Sequence, residues 1–220
     1  MNDEISYSSF AVIDLLDAFA SNEPVPGGGS AAALAGSLGV SMLMMAAGLP
    51  KTRTMAPEEA TDLAEASSRL RPLRESLIEL IDGDSDAYRA VMAALKLPKA
   101  TDAEKAARRE AIEAAMHEAT DAPLEMMRAC QQALAGAVVV ARNAYRVAAS
   151  DVGMGIELLV ASMRGCAMSI DGNLRSISDA AYKDRVKTER QQLETDSVAD
   201  AARARALLAT ERPDPRPSSA

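Results

Sequence analysis

The sequence predicts an all-α fold, a helical bundle of long, partly kinked helices. Composition is the first reason. The 220-residue chain is 48% hydrophobic but only 3% aromatic, with no Trp and 12 Met. Its apolar residues are largely Ala, Leu and Met, which favour helices, whereas strands accumulate β-branched and aromatic side chains. Patterning is the second: apolar residues recur at helical spacing, and no stretch sustains the alternation of a strand. The length suits one domain with a sizeable core. We read 1–210 as a single helical domain and the Pro- and Ser-rich 211–220 as a disordered tail.

Phe10, Ile13, Leu16 and Ala20 space an amphipathic helix over 6–20. Pro24-Val25-Pro26-Gly27-Gly28-Gly29-Ser30 follows. Its prolines fix a turn, its glycines remove every side chain, and Ser30 is placed to cap the next helix. That helix, 30–48, repeats small residues four apart, Ala32 with Gly36 and Ala35 with Gly39. Small residues on one face let a neighbouring backbone come close. The run from Gly27 to Leu49 is uncharged and long enough to test as a membrane span. It is built of Gly, Ala and Ser more than Leu, Ile or Phe, so a tightly packed buried helix is expected instead.

Pro50 and Pro57 bracket a polar break holding Lys51 and Arg53. Glu58 and Glu59 open a run whose apolar positions include Leu63, Leu70, Leu73, Leu77, Leu80 and Ile81. Pro72 predicts a kink and Gly83 an interruption, with a restart at Asp84-Ser85-Asp86. Thr101 with Glu104 is a capping box that starts another helix. This helix carries Ile112, Met116 and His117 up to Pro123. Apolar runs at 124–140 and 152–170 complete the body, and 184–208 reads as a charged terminal helix.

A net charge of −8 and a pI near 4.8 argue against nucleic acid or an anionic membrane as partner, since both need a basic face. A small anionic ligand would need a local basic pocket. Cys130 and Cys166 lack metal-like spacing and His117 is the lone histidine. A structural zinc site or a His-based triad therefore has no ligand set, and no metal is expected. The two cysteines read as core thiols of a cytoplasmic protein. Residues 1–10 are polar and acidic, so no signal peptide is expected.

The glycine loop lacks a preceding strand, GxGxxG and GK[ST], so it is no nucleotide fingerprint. On the residues alone, tight helix packing and contact with a ligand both stay open. Asp84 and Asp86 at the expected helix restart are caps or dipole partners, or else supply a general base. Ser150-Asp151 opens another apolar helix and poses the same choice. Asn173 is an amide free to hydrogen-bond a heterocycle. His117, with no partner in the sequence, reads as a surface or edge residue. Lys51 and Arg53 read as solvated unless an anionic ligand lies nearby.

Together these motifs resemble the cyclodeaminase/cyclohydrolase family: the C-terminal domain of formiminotransferase-cyclodeaminase and bacterial methenyltetrahydrofolate cyclohydrolases. The likeness rests on Pro24–Ala33, on Asp84-Ser85-Asp86-Ala87-Tyr88 and on Leu97–Lys105. Thr120–Leu124 and Ser150-Asp151-Val152-Gly153 follow in order. Thr52-Arg53-Thr54-Met55-Ala56 stands where the family has Gly-Lys-Lys-x-Tyr, and Ser169 replaces one of its two asparagines.

The resemblance implies a cytoplasmic helical homodimer that binds a reduced folate, without metal or other cofactor, and neither nucleic acid nor membrane. It implies hydrolysis of 5,10-methenyltetrahydrofolate to 10-formyltetrahydrofolate. The alternatives are formiminotetrahydrofolate cyclodeamination with release of ammonia, and a non-catalytic folate-binding or scaffold homologue. On this basis Asp84 and Asp151 are the expected catalytic carboxylates. Asn173 is expected on the pterin, Gly27, Gly28, Gly29 and Ser30 under the substrate, and Lys51 or Arg53 on its glutamate tail.

Overall fold

A computed structural model describes residues 6–49 and 55–210. Lys51, Arg53 and the expected tail 211–220 lie outside them. Six α-helices are present among the described residues: α1 Val12–Phe19, α2 Gly28–Gly48, α3 Pro57–Leu95, α4 Asp102–Asn143, α5 Ala149–Asn173 and α6 Ala180–Ala209. No strand occurs among the described residues. The all-α expectation holds.

Side-chain contacts fix the directions. Ser30 meets Ile81 and Asp84 while Ser41 meets Arg74, so α2 and α3 are antiparallel. Leu95 meets Arg108 and Asp62 meets Asn143, which makes α4 antiparallel to α3. Asn173 reaches Ala119 and Ser162 reaches Cys130, so α5 runs back along α4. Finally Tyr182 meets Asp121 and Glu189 meets Arg128, which lays α6 parallel to α4. The bundle thus has two distinct ends. One gathers the start of α2, the end of α5 and the start of α6 against the middle of α3 and α4. The other gathers the end of α2 and the start of α5.

The small residues of α2 are what let the helices close up. A Cβ at Gly36 would lie 3.0 Å from Ser162 Oγ, 3.1 Å from Cys130 Sγ and 3.3 Å from Leu77 Cδ1. Side chains of α3, α4 and α5 converge on this one position. Three residues on, a Cβ at Gly39 would sit 2.9 Å from the Gly155 carbonyl oxygen, and one at Gly155 equally close to that of Gly39. Around this crossing Leu43, Leu77, Leu124, Leu134 and Ile156 are fully buried. Cys130 and Cys166 are free and buried, as expected; desolvation pushes the Cys130 thiol up to about 12 and that of Cys166 higher still. By length and composition two helical stretches, 28–48 and 146–173, could cross a membrane; 44% of each apolar window is buried in this bundle.

Four local expectations are corrected. The helix start falls at Gly28, with Gly27 as N-cap, so Ser30 is inside the first turn and is not the cap. The interruption expected at Gly83, with a restart at Asp84, does not occur: helix α3 runs on through Pro72 and Gly83 to Leu95. The local costs, about 3 and 1 kcal/mol in helix interiors, are outweighed by burial of Leu70, Leu77 and Ile81 along one face. Within α5, Ser150 and Asp151 belong to the first turn and neither caps it; Ala148 is the N-cap. Finally, α1 is short and buries Leu15, leaving Ile13 and Leu16 exposed. The capping box does form, with Thr101 N–H on Glu104 and Glu104 N–H on Thr101 Oγ1.

These contacts set opposite signs for two Gly→Ala changes. Gly39→Ala must push apart two backbones and should cost roughly 1–3 kcal/mol. Gly83→Ala meets nothing closer than 3.7 Å and should gain about 0.5–1 kcal/mol from reduced chain entropy. Urea midpoints of the two variants give the answer; equal effects would contradict the packing described.

Candidate functional site

A helix start leaves backbone N–H groups without intrahelical partners. In α2 no side chain of its own N-cap serves them, because Gly27 has none. The partner comes from α3 instead. Asp84 Oδ2 accepts the Ser30 N–H at 3.0 Å and lies 3.4 Å from the Ser30 hydroxyl. That hydroxyl donates to the Ile81 carbonyl at 2.7 Å. With its proton so placed, Ser30 Oγ accepts from Ser85 Oγ at 3.1 Å. Both serines are fully buried.

Gly29 has to be glycine here, since any Cβ would overlap the Asp84 carboxylate. The glycine loop therefore serves packing and the site at once: it admits a carboxylate to a helix N-terminus. Burial raises the Asp84 pKa, and the hydrogen bond from the Ser30 N–H opposes that rise without cancelling it. A carboxyl group that resists ionisation beside a positive helix end suits proton transfer.

The loop is held from behind. Tyr7 donates its hydroxyl to the Val25 carbonyl at 3.1 Å, and Arg89 lies 5.7 Å over the Tyr7 ring. Asp82 accepts from the Tyr7 backbone and from Ser8 Oγ at 2.6 Å. Sequence reasoning missed Tyr7 and Asp82, whose partners lie 18 and 75 residues away. No local pattern announces such contacts.

At this same end Asn173 closes α5, but its amide donates to the Ala119 carbonyl at 2.7 Å. Its nitrogen is thus engaged in the bundle. His117 stacks on Tyr182, ring centroids 3.9 Å apart, with Nε2 3.7 Å from Glu113 Oε1. The edge position expected of His117 is what forms. Grooves of about 630, 600 and 540 Å³ lie elsewhere, between α3 and α4, between α5 and α6, and beside the end of α2. None is lined by Asp84, so the candidate site is defined by chemistry and not by volume.

The formiminotransferase-cyclodeaminase profile matches residues 11–192, nearly the whole described bundle. The chain belongs to the formiminotransferase-cyclodeaminase family. Methenyltetrahydrofolate cyclohydrolase of Methylorubrum extorquens is 36% identical over 173 residues, 78% of this chain and 83% of that protein. Formimidoyltransferase-cyclodeaminase of Gallus gallus is 27% identical over 83% of this chain, which spans 33% of that longer protein. The crystal structure of formiminotetrahydrofolate cyclodeaminase from Thermotoga maritima superposes with a TM-score of 0.81 over 91% of this chain and 96% of that one, at 20% identity. This last likeness speaks for the fold.

Within this family member the expected site residues fall into two groups. Gly27–Ser30, Asp84 and Asn173 share one end of the bundle. Asp151 does not: Gly155, one turn after it, packs on Leu43 and Gly39 toward the far end of α2. At 1.5 Å per residue, Asp151 lies about 25 Å along α2 from Ser30. Lys51 and Arg53 come after α2 in the sequence, outside the described residues. The two expected catalytic carboxylates are therefore not brought together within one chain.

The raised pKa of Asp84 has a sign that can be checked. The folded state holds this proton to higher pH than the unfolded chain, so its stabilising contribution exists in acid and is lost as pH rises through the folded pKa. Asp84→Asn removes the titration. The stability of the variant relative to the parent should therefore improve between about pH 4 and pH 7. Urea unfolding at both pH values tests it, and a relative stability that falls over that interval would refute the assignment.

Proposed function

We propose that this chain is a cytoplasmic methenyltetrahydrofolate cyclohydrolase, hydrolysing 5,10-methenyltetrahydrofolate to 10-formyltetrahydrofolate. The observation that carries the proposal is the Asp84 carboxyl, seated on the N-terminus of α2 against a glycine that leaves it room. The name of the Methylorubrum relative supports the substrate.

The substrate's bridging carbon is a cationic amidinium, already an electrophile, so its hydrolysis calls for no metal or redox group. Water adds through oxygen to that carbon, and Asp84 accepts the water proton. Collapse forms the formyl C=O as the hydroxyl proton is released to solvent, breaks the bond from this carbon to N5 and returns the proton held by Asp84 to N5, leaving the formyl group on N10. Before attack, the partly desolvated carboxylate stabilises the substrate cation electrostatically. Backbone of Gly27–Gly29 forms a floor without side chains. Lys51 and Arg53 are assigned to the anionic glutamate tail.

A second copy completes this site. Leu38 and Met45 on α2 are exposed, 49% and 40%, on a charge-free stripe that continues through Ala31, Ala35 and Met42. At matching heights on α5, Met154 and Met168 are exposed as well. The stripe is small at its start and large at its end. Antiparallel pairing with another α2 sets Ala31 against Met45 and Ala35 against Met42, which keeps the separation even. A two-fold of this kind brings the far end of one chain to the near end of the other. Asp151 then approaches the Asp84 of the partner subunit.

The Gallus relative favours a second reading, cyclodeamination of formiminotetrahydrofolate. Loss of methenyltetrahydrofolate absorbance, scored beside ammonia release from formiminotetrahydrofolate, separates the two. Asp84→Asn should lower kcat/KM for hydrolysis by roughly 10²–10⁴. Asp84→Asn and Asp151→Asn chains should each be inactive alone. Co-refolded in equal amounts they should recover about a quarter of the parental rate, because half the dimers hold one intact site. No recovery, with both variants dimeric, would remove Asp151 from the partner's site; ammonia release without hydrolysis would favour the second reading.

A further inference from the structure

Away from the Asp84 end, α5 and α6 enclose a groove of about 600 Å³. It exists because α6 packs mainly on α4 and touches α5 through ion pairs at two heights. Arg205 pairs with Glu157 at 2.7 Å and Arg190 with Asp171 at 3.2 Å. Between them α5 spans 14 residues, or about 21 Å. The floor is apolar, formed by Val160 and Met163 of α5 with Ala201 of α6. Alanines and a serine on α6 are too short to fill the gap.

Ser197 lines this groove, is 4% exposed, and has a hydroxyl with no hydrogen-bond partner among the described residues. A helical hydroxyl ordinarily satisfies itself on the carbonyl four residues back. On this same helix Thr188 does so at 2.8 Å and Thr195 at 2.9 Å. Ser197 does not, and an unsatisfied buried hydroxyl costs about 1–3 kcal/mol. Arg190 adds a second unsatisfied donor, its Nε, one turn beyond Glu194 at the groove's edge. Arg164 stands on the rim midway between the two ion pairs, exposed and without a carboxylate partner among the described residues.

We propose that the α5/α6 groove is a binding site for an elongated apolar molecule bearing one carboxylate. Its apolar body lies on Val160, Met163 and Ala201, and its acid group takes the hydrogen bond of Ser197 and the charge of Arg164. The charges select this class: Arg164 is a rim cation without a carboxylate partner among the described residues, Glu194 on the lining is paired with Arg190, and Arg205 on the lining is paired with Glu157. The volume falls within the usual range of small-molecule sites. This site is independent of the folate reading, because no residue of it lies at the Asp84 end.

Decanoate is the probe, with decanol as its uncharged counterpart, and calorimetric titration of the full chain is the readout. Decanoate should bind with a Kd of roughly 10–100 µM and decanol at least tenfold more weakly. Arg164→Glu should weaken decanoate at least tenfold and leave decanol unchanged. Ala202→Trp, an exposed position on the groove wall, should abolish both while retaining the parental unfolding temperature. Binding that survives Ala202→Trp would overturn the proposal, as would equal affinity for decanoate and decanol or no binding to the parental chain. If Arg164→Glu instead dissociates a dimer, the groove is an interface between copies and the proposal fails.

Discussion

The structure turns on one contact, the Asp84 carboxylate on the Ser30 N–H at the start of α2. It ties the central helix of the bundle to the middle of its longest antiparallel neighbour. It also supplies from outside the N-terminal partner that α2 lacks. The contact is possible only because residue 29 has no Cβ. Three demands meet there: the helix needs an acceptor, the carboxylate needs donors once it leaves water, and both need space. Neither group is fully satisfied. Burial still raises the Asp84 pKa, and that residual tension is the chemical resource a proton-transfer site requires.

How much of this was legible in the sequence depends on the range of each interaction. The small-residue helix, the capping box at Thr101 and the absence of strands are set by residues within four positions of one another, and all were read correctly. The continuity of α3 was not. Pro72 and Gly83 are local breakers, but the helix is decided by the core face formed with distant chains. The same limit applies to Asp84. Sequence placed it as a cap or a base at its own helix start, whereas it lies inside α3 and serves the start of another helix 54 residues earlier. Its two candidate roles, cap and base, turn out to be compatible.

α1 and α6 show a different failure. Apolar spacing placed a helix over 6–20; it forms at 12–19, and its buried member is Leu15, while Ile13 and Leu16 face outward. Periodicity finds a stripe without saying what covers it. Ser197 is subtler, since serine on a charged helix draws no attention. Its meaning comes only from comparison with Thr188 and Thr195, which satisfy themselves on the backbone of the same helix.

The division of the expected site between two ends follows from helix geometry. Motif order along a chain says nothing about height in a bundle. Glycines spaced along α2 let α5 lie antiparallel and close, and that closeness fixes Gly155 opposite Leu43. Asp151 is then held about 25 Å from Ser30 by the rise of one unbroken helix. No side-chain rotation or loop movement spans such a gap, and bending α2 would tear Gly36 from the contacts of three neighbours. A chemistry that uses both carboxylates therefore has to come from two chains, whereas a chemistry within one chain has only the Asp84 end. The charge-free stripe on α2, graded from Ala31 to Met45, supplies a surface on which the first of these is physically consistent.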